Sequence, residues 1–288
     1  MPESVSIIEC PRDAFQGLSR FIPTTLKVEY LRSLVEAGFQ QIDFGSFVSP
    51  EAVPQMQDSG QVAQAVRPLP GHVTLIGIVP NLRGLETLIE TGGIRCAGYP
   101  LSLSPTFQQR NVRQTPVESW RVVEALLSRS RESGIELVIY LSMAFGNPYG
   151  DAWSPDLVLS FAQKAAGLGV ERIALADTVG MAQPDQVARL FRACRQEFPN
   201  TTWGVHLHAR PEIWTEPVMA AFEAGCRRFD GALQGIGGCP FAEDRLVGNI
   251  PTEEMVRHFN RMGLITELSD VALEKPLALA RQISSQYA

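Results

Sequence analysis

The chain has 288 residues, of which 45% are hydrophobic and 19% are charged, as in an ordinary folded globular protein. Its formal net charge of -6 at pH 7 argues against nucleic-acid binding, which relies on a strongly basic surface. No apolar run approaches the ~20 residues that a membrane-spanning helix requires. We therefore expect neither a nucleic-acid partner nor a membrane one.

The cysteines give no sign of a disulfide framework or a structural zinc site. They are Cys10, Cys96, Cys194, Cys226 and Cys239. They are scattered and odd in number, without a Cys-x-x-Cys pair, and all but Cys239 fall on predicted strands or helices, where packing explains them. The segment MPESVSIIEC also lacks the basic stretch and apolar core of a secretory signal. These features predict a protein of the reducing cytoplasm.

Short apolar runs alternate with helical patterns from one end of the chain to the other. The predicted strands are Val5–Glu9, Gln41–Phe44, Val73–Val79, Ile94–Tyr99, Leu137–Leu141, Arg172–Ala176, Thr202–His206 and Arg228–Gly231. One strand every ~20–40 residues, with a helix between, is typical of βα units on a parallel sheet. Eight such units without a linker predict a single-domain α/β fold, a (β/α)8 TIM barrel over residues 1–288 with a helical extension from about 265 to 288. A doubly wound open sheet is the alternative, but no Gly-x-Gly-x-x-Gly follows the first strand.

The predicted helices carry start and stop signals. A capping box with proline at the first helical position, Thr115-Pro116-Val117-Glu118, opens one helix, and Ser154-Pro155-Asp156 opens another. Thr24 precedes the amphipathic stretch Leu26–Ala37, and the last helix covers about Leu273–Ser285. Helices end at glycines shortly before the next strand, as αβ loops prefer. These glycines are Gly38, Gly134, Gly169 and Gly225.

Two histidines one residue apart, His206 and His208, stand at the end of the seventh predicted strand. Side chains at i and i+2 of a strand point to the same side, so both imidazoles suit chelation of one metal ion. The alternative is a pair of partly buried, hydrogen-bonded histidines, since two ligands do not make a site. In a barrel of this type, catalytic groups collect at the carboxyl ends of the strands.

Further polar residues occur at such strand ends. Asp13 follows the first predicted strand and Asn249 follows the eighth, so a carboxylate and an amide oxygen could join the imidazoles. A mixed oxygen and nitrogen set with open positions suits Mg²⁺ or Mn²⁺, although Zn²⁺ or Co²⁺ could also occupy it. Arg12, beside Asp13, is the natural cation for a developing oxyanion, and its alternative role is a salt bridge.

A glycine-rich loop follows the eighth predicted strand, with Gly235, Gly237 and Gly238 leading to Cys239. A thiol on a mobile loop near a metal can act as an acid or base once the loop closes. The alternative, which spacing alone favours, is an ordinary turn with Cys239 as a small buried residue.

Eight segments carry a resemblance to a known family. They are Pro11-Arg12-Asp13, Ser46-Phe47-Val48-Ser49-Pro50, Val53-Pro54-Gln55-Met56, Val79-Pro80-Asn81-Leu82-Arg83-Gly84, Asp177-Thr178-Val179-Gly180, His206-Leu207-His208, Gly237-Gly238-Cys239-Pro240-Phe241-Ala242 and Gly248-Asn249. Their order and composition resemble those of the 3-hydroxy-3-methylglutaryl-CoA (HMG-CoA) lyases, which belong to the metal-dependent TIM-barrel lyases and Claisen-condensing synthases.

The resemblance implies a divalent-metal-dependent carbon–carbon lyase. Such an enzyme cleaves HMG-CoA, or a close 3-hydroxy-3-alkylglutaryl-CoA, to acetyl-CoA and a 3-oxo acid such as acetoacetate. The resemblance further implies an acyl-CoA substrate, Mg²⁺ or Mn²⁺ as cofactor, a homo-oligomer of the dimer type, and a part in leucine degradation and ketone-body formation.

The resemblance also assigns residues by position. The implied metal ligands are Asp13, His206, His208 and Asn249. Arg12 would steady an enolate and Cys239 would serve as general acid, while Asp43 and Asp177 would order substrate, water or a proton path. The residues implied in substrate binding are Gln16, Arg110 and Asn111.

Several positions depart from the family pattern. They are Ala14, Gly17-Leu18-Ser19, Ser104-Pro105, Asn147 and Ala209. The departures concern the acyl-CoA more than the metal. Two other functions therefore stay open: a Claisen-condensing transferase that joins an acyl-CoA to a 2-oxo acid, and a metal-binding paralogue with altered activity.

Overall fold

The computed structural model describes residues 4–238, 247–264, 266 and 268–288. Its strands are β1 Ser6–Glu9, β2 Gln41–Ser46, β3 Thr74–Ile78, β4 Cys96–Ser102, β5 Glu136–Ser142, β6 Arg172–Ala176, β7 Thr202–His206, β8 His208–Ala209, β9 Arg228–Gly231 and β10 Gly248–Asn249. Strands β1 to β7 and β9 pair in parallel and close into a barrel, while β8 and β10 form a separate antiparallel pair at its rim. The predicted (β/α)8 barrel is confirmed.

All eight predicted strands are present, and the largest boundary error concerns β4. The sequence prediction ends this strand at Tyr99, before Pro100, and proline cannot donate to a sheet. The strand nevertheless continues, with Pro100 opposite Tyr140. Pairing with β3 stops at Gly98, whose carbonyl accepts from Val79. Since alternate residues point to the same neighbour, Pro100 faces the side on which β3 has already ended, and no ladder bond is lost.

The helices surround this barrel. They are α1 Pro11–Phe15, α2 Thr24–Ala37, α3 Ser59–Ala65, α4 Leu82–Thr91, α5 Pro105–Val112, α6 Pro116–Ser133, α7 Pro155–Leu168, α8 Pro184–Glu197, α9 Thr215–Glu223, α10 Thr252–Arg261 and α11 Asp270–Tyr287. The capping box of α6 is confirmed, since the hydroxyl of Thr115 accepts from the amide of Glu118 and the Glu118 carboxylate accepts from that of Thr115. Helix α11 is longer than predicted because Ser269 caps it and Pro276 does not interrupt it.

Two layers of buried side chains hold the fold together. One lies between the sheet and the helices, and a smaller one fills the inside of the barrel, where Ile8, Ile76, Val138 and Tyr140 meet. Four of the cysteines, those at positions 10, 96, 194 and 226, are free and buried, as the packing interpretation predicted. Across the described ranges, no helix combines the length and apolar content needed to cross a bilayer.

A buried carboxylate, Glu9, connects β1 to three other parts of the chain. Its Oε1 accepts hydrogen bonds from the amide of Leu233 at 2.8 Å and from the hydroxyl of Tyr30 at 3.2 Å. Its Oε2 accepts from the hydroxyl of Thr252 at 2.6 Å. Burial nevertheless dominates and raises the pKa of Glu9 to about 8.

We expect a Glu9→Gln variant to lose a pH dependence of stability that the wild type shows. Because the pKa of Glu9 is about 8 when folded against 4.5 ordinarily, the folded chain binds the extra proton between these values. Stability conferred by the protonated group is therefore complete below about pH 4.5 and is lost as pH rises through about 8, by a few kcal/mol. Denaturant unfolding at about pH 6 and about pH 9 measures this change. Equal changes in wild type and variant would contradict the prediction, and Glu90→Gln, at an exposed position, is the control.

Candidate active site

A short helix positions the two charged residues that follow β1. Helix α1 begins at Pro11, whose fixed φ suits the first helical position. It turns the chain over the carboxyl end of the barrel, so that Asp13 is buried and Arg12 is partly buried. The sequence analysis treated this segment as a loop, because five residues are too few to show helical periodicity.

Arg12 lies between two carboxylates. Its Nη1 donates to Oδ1 of Asp13 at 2.8 Å, and its Nη2 and Nε donate to Oδ2 of Asp43 at 2.5 and 3.1 Å. Gln16 completes this side by donating from Nε2 to Oδ1 of Asp13 at 2.7 Å. Burial by itself would lower the pKa of Arg12, but Asp43 and Asp13 outweigh it and raise that pKa, so the guanidinium keeps its charge.

The two carboxylates differ in their electrostatic surroundings. Burial by itself would raise the pKa of Asp13, but Arg12 and a hydrogen bond with His208 outweigh it and hold the pKa well below its usual range. Burial raises the pKa of Asp43, and Arg12 offsets only part of that effect. Asp13 is therefore a permanent anion, whereas Asp43 is the carboxylate whose proton affinity is increased.

Both histidines present the same ring nitrogen toward Asp13. Nδ1 of His208 lies 2.8 Å from the main-chain oxygen of Asp177, and Nδ1 of His206 lies 3.1 Å from Oδ2 of Asp230. Because these oxygens can only accept, each neutral imidazole carries its proton on Nδ1 and leaves Nε2 with a free lone pair. The Nε2 atoms of His208 and His206 lie 3.2 and 3.9 Å from Oδ2 of Asp13.

This arrangement requires a cation. A carboxylate oxygen and an imidazole lone pair are both acceptors, so at 3.2 Å they repel unless a proton or a metal ion lies between them. Burial by itself would lower the pKa of His208, but Asp13 outweighs it and raises that pKa. The site therefore favours a positive charge between these two groups. One donor atom each from Asp13, His206 and His208 lies within 4.8 Å of the others, and two ligands at right angles around one ion are ~3 Å apart. The residues fit a divalent metal.

Asn249 lies beside this group, and its amide nitrogen, not its amide oxygen, points toward Asp13. Strand β10 pairs Asn249 with His208, and Nδ2 of Asn249 donates to Oδ2 of Asp13 at 2.9 Å and to the carbonyl of Ile236 at 2.8 Å. A ligand role would require the amide to turn so that Oδ1 faces the metal position beside Asp13, because the NH₂ group is only a donor and has no lone pair for a metal.

Asp177 follows β6 and closes the turn after that strand. Its carboxylate accepts from the amides of Met181 and Ala182, each at 2.9 Å, so it fixes the turn after β6. Its main-chain carbonyl holds His208. Burial raises the pKa of the Asp177 carboxyl, and the backbone amides offset part of this. In this structure Asp177 orders the loop and a histidine, and its carboxylate faces backbone amides.

Arg110 and Asn111, predicted to bind substrate, are exposed on α5. The guanidinium of Arg110 lies over the ring of Tyr149, 4.7 Å from its centroid. The start of α5 is fixed by Asp151, whose carboxylate accepts hydrogen bonds from the hydroxyls of Ser104 at 2.5 Å and Thr106 at 3.0 Å. Arg110 and Asn111 therefore lie on an exposed face of α5, the helix that follows β4.

Asn147, one of the departures from the family pattern, organises the loop after β5. Its Oδ1 accepts from the amides of Tyr149 at 3.0 Å and Asp151 at 3.1 Å, and its Nδ2 donates to the carbonyl of Asp151 at 3.0 Å. A side-chain amide that bonds its own backbone in this way stabilises a tight turn. The asparagine has a structural function here.

Cys239 lies outside the described residues. The loop that leads to it packs directly against α1, since a Cβ on Gly237 would come within 2.5 Å of the carbonyl of Asp13. Gly237 also has a φ of +84°, which side chains disfavour. Glycine is therefore required at this position for the loop to reach the site.

Sequence reasoning missed Asp230. It is buried inside the barrel on β9 and accepts the Nδ1 proton of His206. A signal was available, because Arg228 and Asp230 stand at i and i+2 of a predicted strand and so point to the same face. Two charged residues on one face of a strand in a closed barrel are unusual, since charged side chains are seldom buried without a partner.

Comparison with known proteins places the chain in a family. The HMGL-like family model matches residues 5–281. The chain is 36% identical to the (R)-citramalyl-CoA lyase of Chloroflexus aurantiacus, with 94% of this chain and 88% of that protein covered. It is 32% identical to a hydroxymethylglutaryl-CoA lyase of Bacillus subtilis, with 99% and 94% covered.

A solved structure agrees with these relatives. The HMG-CoA lyase from Acinetobacter baumannii in complex with coenzyme A and 3-methylmalate superposes with a TM-score of 0.87 at 30% identity, covering 98% of this chain and 95% of that one. The resemblance inferred from the motifs is thereby confirmed. Since the family model spans nearly the whole chain and its relatives are named lyases, this protein belongs to the HMGL-like family and is an enzyme of the HMG-CoA lyase type.

Proposed function

We propose that the protein cleaves a carbon–carbon bond in the CoA thioester of a 3-hydroxy-3-methyl dicarboxylic acid, with HMG-CoA as the first candidate substrate. The products would be acetyl-CoA and acetoacetate. The observation that supports this most is the pair of acceptors, Oδ2 of Asp13 and Nε2 of His208, 3.2 Å apart beside the guanidinium of Arg12. A cation site next to a fixed positive charge suits cleavage of a hydroxylated, anionic substrate.

Asp13, His206 and His208 would hold a divalent metal, Mg²⁺ or Mn²⁺, and Asn249 would join them once its amide turns. When bound, such an ion acts as a Lewis acid on the substrate's hydroxyl and lowers the pKa of that group. The donor set of one carboxylate and two imidazoles agrees with this choice without distinguishing the two metals.

The remaining chemistry falls to this chain's own residues. A base removes the proton of the tertiary hydroxyl, the carbon–carbon bond breaks, and its electron pair passes to the thioester as an enolate. Asp43, whose pKa burial raises, is suited to take up a proton near this point. Arg12 stabilises the enolate oxygen, and Cys239 returns a proton to the enolate carbon, which yields acetyl-CoA.

The coenzyme A part of the substrate has a candidate position. A cavity of about 620 Å³ lies between the loops that follow β2 and β3, with Ser46, Phe47, Asn81 and Arg83 among its lining residues. It lies at the carboxyl ends of these strands and offers both an aromatic ring and a guanidinium, which suit a nucleotide with phosphates. Gln16, Arg110 and Asn111 remain proposals for contacts to the acyl and carrier groups.

A second candidate substrate is citramalyl-CoA, on which the relative at 36% identity acts by its name. It differs from HMG-CoA by one methylene between the carbinol carbon and the free carboxylate, and would give pyruvate instead of acetoacetate. One methylene typically changes kcat/KM by only ~10–200-fold. The two substrates must therefore be compared by rates, and activity toward one does not exclude the other.

The proposal predicts metal-dependent release of acetyl-CoA. Purified protein is incubated with Mn²⁺ or Mg²⁺ and either HMG-CoA or citramalyl-CoA, and products are identified by mass spectrometry. We expect cleavage of at least one thioester, lost with excess chelator and restored by metal. Absence of cleavage across both, with thiol release that depends on an acyl-CoA and a 2-oxo acid, would instead support the condensing transferase. Metal binding without either reaction would support the paralogue of altered activity.

Three further features remain predictions. A dimer, a cytoplasmic location and a part in leucine degradation and ketone-body formation follow from the resemblance and from composition. Light scattering of the purified protein tests the first, and localisation of the full chain in its own cell tests the second.

A further inference from the structure

Two charged side chains inside the barrel are not used by the proposed reaction. Arg228 and Asp230 alternate along β9, and both are buried, with 7% and 3% of their surface exposed. Charged groups seldom occupy such positions without a specific partner. Their surroundings indicate what they do.

Asp230 contacts a residue of the candidate metal site and is fixed to it by the sheet itself. Strands β7 and β9 are paired in parallel with His206 opposite Asp230, and Oδ2 of Asp230 lies 3.1 Å from Nδ1 of His206. The rings of Tyr140 and His206 lie roughly perpendicular to each other, with the centroids 5.8 Å apart. The ring of His206 is therefore held by a carboxylate and by an aromatic neighbour.

The second oxygen of Asp230 faces Arg228. Nη1 of Arg228 lies 3.4 Å from Oδ1 of Asp230, close enough for ion pairing. Among the described residues, Oδ1 of Asp230, Nε and Nη1 of Arg228 and the hydroxyl of Tyr140 are buried without a hydrogen-bond partner. A group that served stability alone would be expected to satisfy these atoms. These unsatisfied atoms are costly to bury, and the contact of Asp230 with His206 explains why the side chain is there.

The two histidines are held in different ways. Nδ1 of His208 donates to a main-chain oxygen, that of Asp177, which no substitution removes. Nδ1 of His206 donates to a side chain, that of Asp230. The tautomer of His206 therefore depends on one replaceable carboxylate.

We propose that Asp230 is a positioning residue that keeps the proton of His206 on Nδ1 and so leaves Nε2 directed at Oδ2 of Asp13. The inference rests on the proposed metal site, because it concerns how one of that site's ligands is prepared. Carboxylates that bind the distal nitrogen of a ligating histidine typically contribute ~10–100-fold in metal affinity. In this role Asp230 acts through His206.

The test is an Asp230→Asn variant, which keeps the size of the side chain. Because Nη1 of Arg228 is a donor, the amide oxygen of the new side chain should turn toward Arg228 and its NH₂ toward Nδ1 of His206. The ring then shifts its proton to Nε2, where it obstructs a metal. Nitrogen-15 NMR of the imidazoles in the metal-free protein should show His206 in the Nε2–H form and His208 unchanged. Calorimetric titration with Mn²⁺ alone should show affinity lower by ~10–100-fold.

Asp58→Asn is the matched control. Asp58 is also buried and ion-paired, with Lys27 at 2.6 Å, but it lies outside the barrel. We expect its tautomers and Mn²⁺ affinity to equal those of the wild type, even where stability falls. If Asp230→Asn does not fold, Asp230→Ser, which leaves room for a water molecule, should give a mixture of His206 tautomers.

The outcomes separate this inference from the proposed function. An unchanged His206 tautomer in either variant, or equal losses of affinity in Asp230→Asn and Asp58→Asn, would overturn the role of Asp230. A wild type that binds no Mn²⁺ would contradict the metal site, while the NMR comparison would still decide whether Asp230 sets the tautomer. Tautomer shift and affinity loss together, confined to Asp230, would support the inference.

Discussion

Replacement of Asp13 by asparagine is expected to abolish tight binding of Mn²⁺ and to reduce turnover by about 10³-fold or more, because metal-derived charge stabilisation is worth several kcal/mol. Asp13 supplies the carboxylate of the group formed with His206 and His208. Both Nε2 atoms and the Asn249 amide face its Oδ2. An asparagine has half the acceptor capacity and no charge, so the remaining imidazoles would bind the ion weakly.

Calorimetry with Mn²⁺ and the rate of acetyl-CoA release measure this prediction together. Asp156→Asn, in the first turn of α7 at an exposed position, is the control for the same chemical change. A variant at Asp13 that binds Mn²⁺ as the wild type does would show that the ion is held elsewhere. Full turnover with Mn²⁺ affinity lost would show that the ion has no part in the reaction.

Much of the barrel could be predicted from the sequence because its signals are local and repeated. Each strand is a short apolar run, and several of the following helices end at a glycine such as Gly38 or Gly134, whose φ values are +104° and +68°. The strand ends then place His206, Asp13 and Asn249 at one rim whatever the details of the loops. Closure of the sheet does the rest, since β1 pairs with both β2 and β9.

What could not be predicted depends on contacts between distant segments. Helix α1 is too short for periodicity, and the direction of Asp177 is set by a turn that its own carboxylate closes. The amide orientation of Asn249 depends on the carbonyl of Ile236. Asp230 contacts His206 only once β7 and β9 have paired, so its function is not visible in a pattern read along one strand.

The charges around the mouth of the barrel explain why Arg12 matters for catalysis as well as for structure. Arg12 pairs with Asp13 and Asp43, and Arg228 pairs with Asp230, so with the three carboxylates ionised and the histidines neutral these groups carry an excess of one negative charge. A divalent cation reverses this excess, and an anionic substrate or enolate is then attracted to the place where Arg12 and the cation meet. Arg12 is already held by two carboxylates, so little reorganisation is needed as charge develops.

An Arg12→Gln variant is accordingly expected to bind Mn²⁺ nearly as well as the wild type while losing ~10²–10³-fold in kcat. The two oxygens of Asp13 make this separation possible. Arg12 and Gln16 occupy Oδ1, whereas His206, His208 and Asn249 face Oδ2. Loss of the guanidinium therefore removes a donor for the enolate without removing a metal ligand.

Proton exchange gives the sharpest measurement of this role. Acetyl-CoA incubated with the wild type and metal in D₂O should exchange its methyl protons, since that exchange passes through the same enolate. Arg12→Gln should slow the exchange by about the factor by which kcat falls, and Arg12→Lys, which keeps the charge but not the planar fork, should recover only part of it. Arg129→Gln, which removes a surface guanidinium paired with Glu86, should leave both rates unchanged. Exchange at the wild-type rate in Arg12→Gln would mean that the enolate is stabilised by another group.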